Sequence, residues 1–253
     1  MRTGLRLFAF GAALAGAALT LAACSDGDDV ATSKIFRAAP WKDGELSVYR
    51  VAERGVDGVG TCTLETKVDF EPAKTRLEHR CDNGPYHDNG NAVVDTKTLV
   101  PLSSERIATD DKNQRQTSYT VTYGARTATF TADTGGSTHE TTRDLPAPTR
   151  VSPDPGWYDD ESLLWLARGV PLETGWQGGY SHVINAGQPR VLGVQVRVEQ
   201  PEPVKVPAGE FSAWKVRFQR SDIVYFVWVD VQAPNRVVKA QIEDVTYELT
   251  GLR

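Results

Sequence analysis

The chain has 253 residues, with 28 basic and 33 acidic side chains, and its formal net charge is −5. The N-terminal 23 residues carry two arginines and no acid, so the remainder has 26 basic and 33 acidic side chains, a charge of −7. This excess of acidic residues argues against a nucleic-acid partner and against binding of anionic lipid through a polybasic segment.

The N-terminus has the layout of an export signal. Arg2 and Arg6 precede a stretch without charge, residues 7–21, made of apolar and small side chains. A basic start followed by an apolar segment is typical of secretory signals. The segment is shorter than the roughly 20 residues that cross a bilayer as a helix. We therefore predict that residues 1–23 are a cleaved signal peptide.

The next residues, LAAC at positions 21–24, resemble the lipobox of bacterial lipoproteins. The resemblance implies that Cys24 receives a diacylglycerol and becomes the mature N-terminus. The alternative is an ordinary signal peptide with a chance cysteine. Two or three acyl chains anchor a protein stably where one does not. We expect residues 24–37 to be the lipidated cysteine and a flexible tether, at the cell membrane or outer membrane and facing the periplasm or exterior.

Cys62 and Cys81 lie in two alternating segments, TCTLETKVDF and TRLEHRC, separated by a turn-like EPAK. If the segments pair as a hairpin, both sulfurs lie on one face and nearly opposite each other. This arrangement predicts a disulfide in an oxidising compartment. The alternative, two free thiols as a redox centre or metal ligands, lacks the close Cys-x-x-Cys spacing.

Alternation of β-branched and aromatic residues dominates the rest of the chain. GELSVYRVAE, NAVVDTKTLV, TSYTVTYG and RTATFTAD predict half-buried strands in an N-terminal β-half, 38–143. Four prolines in residues 144–156 predict a connection without strands. Similar alternation predicts a C-terminal β-half, 157–253, so the fold class is mainly β and antiparallel.

One short helix is predicted in the segment WYDDESLLWLARGVP. Asp159 or Asp160 can cap its start, and Gly169 and Pro171 end it. The strand DIVYFVWVD has no alternation, so both of its faces must be covered. A central strand with the helix packed behind it is favoured over a ligand-lined surface.

The C-terminal sequence resembles a known family. VKVPAGEFSAWKVRF (204–218), YFVWVD, APNRVVKAQ and TYELTGL are similar to the C-terminal motif of an uncharacterised bacterial envelope family, the domain of unknown function 3108 group. The resemblance covers about the last 60 residues. It implies a curved antiparallel sheet, a half-barrel similar to periplasmic lipoprotein carriers, and it is nearly silent on activity.

Motifs for catalysis are missing from the sequence. It has no Gly-x-Ser-x-Gly, no His-Glu-x-x-His, no phosphate loop and no dinucleotide fingerprint. The four histidines are scattered, and His79 beside Cys81 has the position of a packed, hydrogen-bonded residue. We predict that the protein is not an enzyme and has no catalytic residue, metal site or cofactor.

Large aromatic residues accumulate near the C-terminus. A half-barrel leaves a concave surface, and an apolar cleft is the usual shape of a small-molecule site. The tentative ligand-binding residues are Trp214, Tyr225, Phe226 and Trp228. The preferred hypothesis is a lipid-anchored envelope protein that binds a lipid or other apolar ligand there. The alternative is an envelope scaffold or protein-interaction module without a ligand cavity.

Overall fold

The computed structural model describes residues 35–37, 41–54, 60–147, 156–184, 189–221 and 223–252. The predicted signal peptide, Cys24, most of the predicted tether and most of the connection 144–156 lie outside these residues. No helix among the described residues is both long and apolar enough to cross a membrane.

The first part of the chain forms eight strands in succession. They are β1 (Leu46–Glu53), β2 (Gly60–Glu71), β3 (Lys74–Asn83), β4 (Tyr86–Asp95), β5 (Pro101–Asp110), β6 (Arg115–Tyr123), β7 (Thr127–Thr134) and β8 (Ser137–Asp144).

The second part contains the helix and seven strands. They are β9 (Trp157–Asp159), a 3₁₀ turn (Asp160–Ser162), α1 (Leu163–Gly169), β10 (Gln177–Ile184), β11 (Arg190–Val206), β12 (Gly209–Gln219), β13 (Val224–Asp230), β14 (Val237–Ile242) and β15 (Val245–Leu252).

All of these strands belong to one open sheet, in the order β8 to β1, then β15 to β9. Neighbours pair antiparallel except β9 and β10, which are parallel. The first and last strands pair in the middle, with Val51 opposite Tyr247, so both predicted halves contribute to this sheet. The prediction of a mainly β chain with a curved antiparallel sheet and one short helix is confirmed.

The helix fills the concave side of the sheet. All residues of α1 are buried, and the helix packs on β13 and β14. The indole Nε1 of Trp165 donates to Thr66 Oγ1 on β2 at 2.9 Å. The carboxylate of Asp159 accepts from the backbone N–H of Glu161, which caps the 3₁₀ turn before the helix. The unalternating strand β13 is therefore covered by α1 on one face, as its sequence indicates.

The two ends of the sheet approach each other without pairing. Val121 and Phe130, on β6 and β7, share a buried cluster with Trp157 and Val183, on β9 and β10. Apolar side chains, rather than backbone hydrogen bonds between strands, therefore join these two parts of the open sheet.

The folded part of the chain begins within the segment that was predicted to be a flexible tether. Ile35 and Phe36 are buried, and the Phe36 ring makes an edge contact with Tyr158, with ring centroids 4.4 Å apart. The backbone N–H of Arg37 donates to the carbonyl of Gly169 at 2.6 Å. The last residues of the segment 24–37 therefore belong to the folded part, because two large apolar side chains gain by burial there.

Cys62 and Cys81 are direct cross-strand partners on β2 and β3 and are joined by a disulfide. Their Cα atoms are 3.9 Å apart. The bond lies on the concave face.

Candidate functional site

Two rows of residues cross the concave face of β2 to β6. Because neighbouring strands pair in register, direct partners lie side by side on one face. The first row runs through Cys62, Cys81, Asp88, Ala108 and Thr117. The second row runs through Leu64, His79, Gly90, Arg106 and Tyr119. Together they form the floor of a cleft.

Two adjoining cavities make up this cleft. The outer cavity has a volume of about 440 Å³ and lies above β3 to β6 and β15. The inner cavity has a volume of about 140 Å³ and reaches the 3₁₀ turn and α1. Both are lined by Cys81, Asp88, Arg106 and Tyr247, so they are parts of one cleft.

An ion pair lies where the two cavities meet. Arg106 donates from Nε and Nη2 to the two carboxylate oxygens of Asp88, at 2.8 and 2.7 Å. His79 Nε2 lies 3.8 Å from the same carboxylate. Burial of Asp88 opposes its ionisation, but His79 and Arg106 outweigh this and hold its pKa well below the usual range. Asp88 is therefore a carboxylate whose charge is already neutralised by the protein.

Three consecutive acids, Asp159, Asp160 and Glu161, cross over β4 and β5, and we call them the acidic turn. Asp159 accepts hydrogen bonds from Ser104 Oγ, at 2.7 Å, and from the Tyr123 hydroxyl. Burial raises the pKa of Asp159 to about 6, although both hydrogen bonds act in the opposite direction. These contacts join β9 to β5 and β6.

Asp160 has a different partner. Its carboxylate lies 2.6 Å from Nε2 of His182, whose Nδ1 is 2.9 Å from the Tyr180 hydroxyl. Burial alone opposes ionisation of Asp160, yet the adjacent His182 lowers its pKa below the usual value. Asp160 is thus also compensated within the protein.

Glu161 is the exception in the acidic turn. Its side chain is 4% exposed, and its closest contact with a basic group is His79 Nδ1, 3.5 Å from Oε2. Burial raises its pKa well above the usual value, and the charges of Asp160, Asp159 and Asp88 raise it further against the effect of Arg106. The protonated form of Glu161, in the wall of the inner cavity, is therefore favoured by its surroundings.

Gly90 allows the acidic turn to approach β4 this closely. A Cβ at Gly90 would lie 2.6 Å from Glu161 Oε2 and 2.5 Å from His79 Cε1. Both distances are shorter than real contacts permit. The absence of a side chain at Gly90 is thus a requirement of this site.

The mouth of the cleft is polar. His87 contacts Asp82 at 2.6 Å and Asp111 at 3.1 Å, and these hydrogen bonds raise its pKa. Tyr247, in the wall shared by both cavities, has its pKa raised to about 12 by burial and by the nearby charge of Asp88. Tyr247 therefore remains a neutral phenol.

The four aromatic residues predicted to bind a ligand lie elsewhere. Trp214 and Tyr225 share one face of the sheet, while Phe226 and Trp228 share the other, because side chains alternate along a strand. Trp228 Nε1 donates to Glu202 Oε1 at 2.5 Å. None of the four lines the cavities described above. Their role in binding a ligand stays a prediction.

The surroundings of Phe226 and Trp228 are basic as well as aromatic. The Lys215 ammonium lies 4.7 Å from the centre of the Phe226 ring and 5.5 Å from that of Trp228. Such cation–π contacts stabilise a sheet surface without any ligand.

Sequence reasoning missed Glu161, Arg106 and Asp88. It interpreted His79 as a packed, hydrogen-bonded residue; in the structure the His79 side chain is 13% exposed and lies near Asp88 and Glu161, in the wall of the inner cavity. The only local signal was the run of three acids before the helix, which was interpreted as capping.

Among the described residues, no group of three or more histidines, cysteines and carboxylates is arranged to hold a metal ion.

The fold and the cleft define a class of protein: an open, curved β-sheet with a short helix inside it and a cleft of mixed polarity on its concave face. A family model described as "Protein of unknown function (DUF3108)" matches residues 47–250. The chain belongs to this family, and the match extends the resemblance of the C-terminal motif over both β-halves.

Comparison with other proteins adds little about activity. No curated protein matches the chain. A solved structure of a "putative lipoprotein" from Parabacteroides distasonis ATCC 8503 is 9% identical, with a TM-score of 0.32, and covers 86% of this chain and 99% of its own. A "putative exported protein with YmcC-like fold" from Bacteroides fragilis NCTC 9343 is 10% identical, with a TM-score of 0.27, and covers 87% and 99%. Similarities at these TM-scores carry no argument about function.

Proposed function

We propose that this chain is exported, held at the cell envelope by lipid on Cys24, and binds a small amphipathic ligand in its cleft. The observation that carries the ligand is the pair of joined cavities, about 440 and 140 Å³ in volume. Small-molecule sites are typically clefts of about 300–1,000 Å³. With the lipid in the cell membrane or outer membrane, the folded part faces the periplasm or exterior.

The two-sided lining of the inner cavity supports an amphipathic ligand. One side is apolar and is formed by Leu64, Leu163, Leu164, Trp165 and Ile242. The other side carries the charged and polar groups of His79, Asp88, Arg106, Asp160 and Glu161. A purely apolar ligand would remove solvent from these charged groups without contacting them, which costs free energy. A ligand with one polar end and an apolar body matches both sides.

The ligand proposal is tested by native mass spectrometry on residues 25–253, purified from the periplasm without detergent. Ala108→Trp fills the outer cavity, which Ala108 lines. Ala52→Trp is the matched control, because Ala52 is exposed on β1. We expect a lipid-sized adduct on the wild type and on Ala52→Trp, but not on Ala108→Trp. A protein without adduct that also binds no added amphiphile contradicts the proposal and favours the scaffold alternative.

The same experiment tests the other proposed position of the ligand. If the aromatic residues Trp214, Tyr225, Phe226 and Trp228 form the binding surface, Trp228→Leu removes the adduct and Ala108→Trp retains it. The cleft proposal expects the opposite result.

The lipid anchor has a separate test. Mass analysis of the N-terminal peptide from the full-length chain, expressed in a bacterium, is expected to show a diacylglycerol on Cys24. Cys24→Ser should move the protein from the membrane to the aqueous fraction. An unmodified peptide that begins upstream of Cys24 would contradict the anchor.

A further inference from the structure

The cleft carries more acidic than basic groups. Its described lining includes six carboxyl groups and two arginines: Glu53, Asp82, Asp88, Asp110, Asp160 and Glu161 against Arg106 and Arg115, with His79 and His87 as titratable groups. A cleft lined by one sign of charge and walled by protein concentrates its electric field. The field in this cleft attracts a cation and repels an anion.

Most of these carboxyl groups already have partners. Asp88 pairs with Arg106, Asp160 with His182 and Asp82 with His87, and Asp110 accepts from Asn113 at 2.6 Å. A ligand has to displace a protein group to bind them directly.

Of the carboxyl groups that line the inner cavity, Glu161 is the one without a close ion-pair partner. Its side chain is 4% exposed to solvent and lines the inner cavity. His79 Nδ1, 3.5 Å from Oε2, is the closest basic atom. A buried polar group is normally hydrogen-bonded. A buried carboxyl group in a cavity wall, with its nearest basic atom at this distance, is a specific contact point for a ligand.

The surroundings of Glu161 also describe the rest of the ligand. Leu163, Leu164 and Trp165 come after Ser162, at the start of α1, and line the same cavity, and Tyr247 lies in the wall that leads to the mouth. An apolar body that extends outward from Glu161 therefore meets apolar and aromatic surface.

We propose that the ligand is a cationic amphiphile, a primary ammonium on an alkyl or aryl body. Its ammonium pairs with Glu161, and its body lies along Leu164, Trp165 and Tyr247. This inference rests on the proposed role of the cleft as a ligand site and specifies the ligand class.

Proton release is a consequence of this pairing. In the free protein, burial and the neighbouring Asp160, Asp159 and Asp88 raise the pKa of Glu161 well above its usual value while Arg106 lowers it, so the protonated carboxyl is favoured. His79 on β3 and Tyr247 on β15 also face this region. An adjacent ammonium favours the ionised carboxylate. The O–H bond of Glu161 therefore breaks on binding, its proton passes to solvent, and a carboxylate–ammonium pair remains.

The test compares three probes with the same alkyl chain: decylamine, decanol and decanoate, each below its micellar concentration. They are titrated calorimetrically into residues 25–253 at neutral pH, in buffers with different ionisation enthalpies. We expect decylamine to bind about tenfold more tightly than the other two, or better. We also expect its binding heat to depend on the buffer in the sense of proton release.

Glu161→Gln provides the decisive variant, because it keeps the size of the side chain and removes its charge. We expect it to weaken decylamine binding about tenfold, abolish proton release and leave decanol binding unchanged. Glu140→Gln is the matched control, since Glu140 is exposed on β8 and lines none of the described cavities. The control should match the wild type.

The outcomes separate this inference from the function on which it rests. Binding of decanol or decanoate as tightly as decylamine overturns the cationic ligand but leaves the cleft as a site. Unchanged decylamine binding by Glu161→Gln overturns the pairing with Glu161. If none of the three probes binds and Ala108→Trp alters no adduct, both the inference and the proposed function fail.

Discussion

Arg168 and Glu45 form a two-pronged ion pair in the interior, with Nη1 to Oε1 at 2.5 Å and Nη2 to Oε2 at 3.2 Å. Their side chains are 5% and 4% exposed. Arg168 also donates to the carbonyls of Pro234 and Asn235, at 2.8 and 2.9 Å. One guanidinium therefore connects the end of α1, the residue before β1 and the turn between β13 and β14.

Removing that guanidinium should destabilise the fold. Arg168→Met leaves the Glu45 carboxyl buried without its partner, and a broken buried pair costs about 3–5 kcal/mol of unfolding free energy. Urea denaturation measures the loss. Arg37→Met is the control, because the Arg37–Glu173 pair has side chains 64% and 67% exposed and exposed pairs contribute little. Equal losses in the two variants would contradict the structural role of Arg168.

We expect the unfolding free energy to decrease as the pH rises, because of the raised pKa of Asp159. Its folded pKa of about 6 lies above the usual value of about 3.9. Between those values the folded chain holds more protons than the unfolded chain, so its unfolding free energy decreases with increasing pH.

Asp159→Asn tests this pH dependence. In the wild type, Asp159 should lower the unfolding free energy by about 2–3 kcal/mol between roughly pH 4 and 6, and we expect the substitution to remove this decrease. Asparagine still serves as a helix N-cap, so the acidic turn should be retained. Denaturation curves across that pH range measure the difference, and parallel profiles for the two proteins would refute the shifted pKa.

The disulfide should stabilise the cleft floor. Cys62 and Cys81 are 19 positions apart, and a bond that closes a loop of this size contributes about 3 kcal/mol. We expect Cys62→Ala/Cys81→Ala to lower the unfolding free energy by about that amount. A reductant should destabilise the wild type and leave the double variant unchanged. Alkylation of both thiols in the native wild type without prior reduction would show that the bond is absent.

Gly90→Ala should disturb the site more than other glycine substitutions. Its new Cβ would overlap His79 and Glu161, and overpacking of this kind costs about 1–3 kcal/mol. Gly193→Ala is the control, because a Cβ at Gly193 meets no atom within 4 Å. Thermal denaturation compares the two variants. A similar effect of both would show that the acidic turn does not press on β4.

Local patterns explain how much of the fold could be predicted. Alternation in TCTLETKVDF and TRLEHRC is produced by one buried face, and the same pattern places Cys62 opposite Cys81. The helix could be located because a capping acid, an apolar run and Gly169 follow each other within a few residues. The curvature of the sheet was predicted from the family resemblance and not from a local pattern, since it brings together residues as distant as Val121 and Val183.

The site could not be predicted in the same way. His79, Gly90 and Arg106 are neighbours only because β3, β4 and β5 pair in register, and Glu161 joins them from a turn more distant in the chain. No short spacing encodes that meeting. The aromatic residues near the C-terminus gave a stronger sequence signal, yet alternation along β13 puts Tyr225 and Phe226 on opposite faces of the sheet.

By itself, the sequence determined the strands, the short helix and the family, and it predicts the exported, lipidated N-terminus. Each of these depends on side chains a few positions apart, where the period of a strand or helix and the chemistry of a short motif suffice. Only the tertiary structure decided that the acidic turn packs against Gly90 and which residues line the cleft. It also decided which carboxyl group in the inner cavity has no close basic partner. Those properties depend on burial and on charges brought together from distant strands, and neither exists before the chain folds.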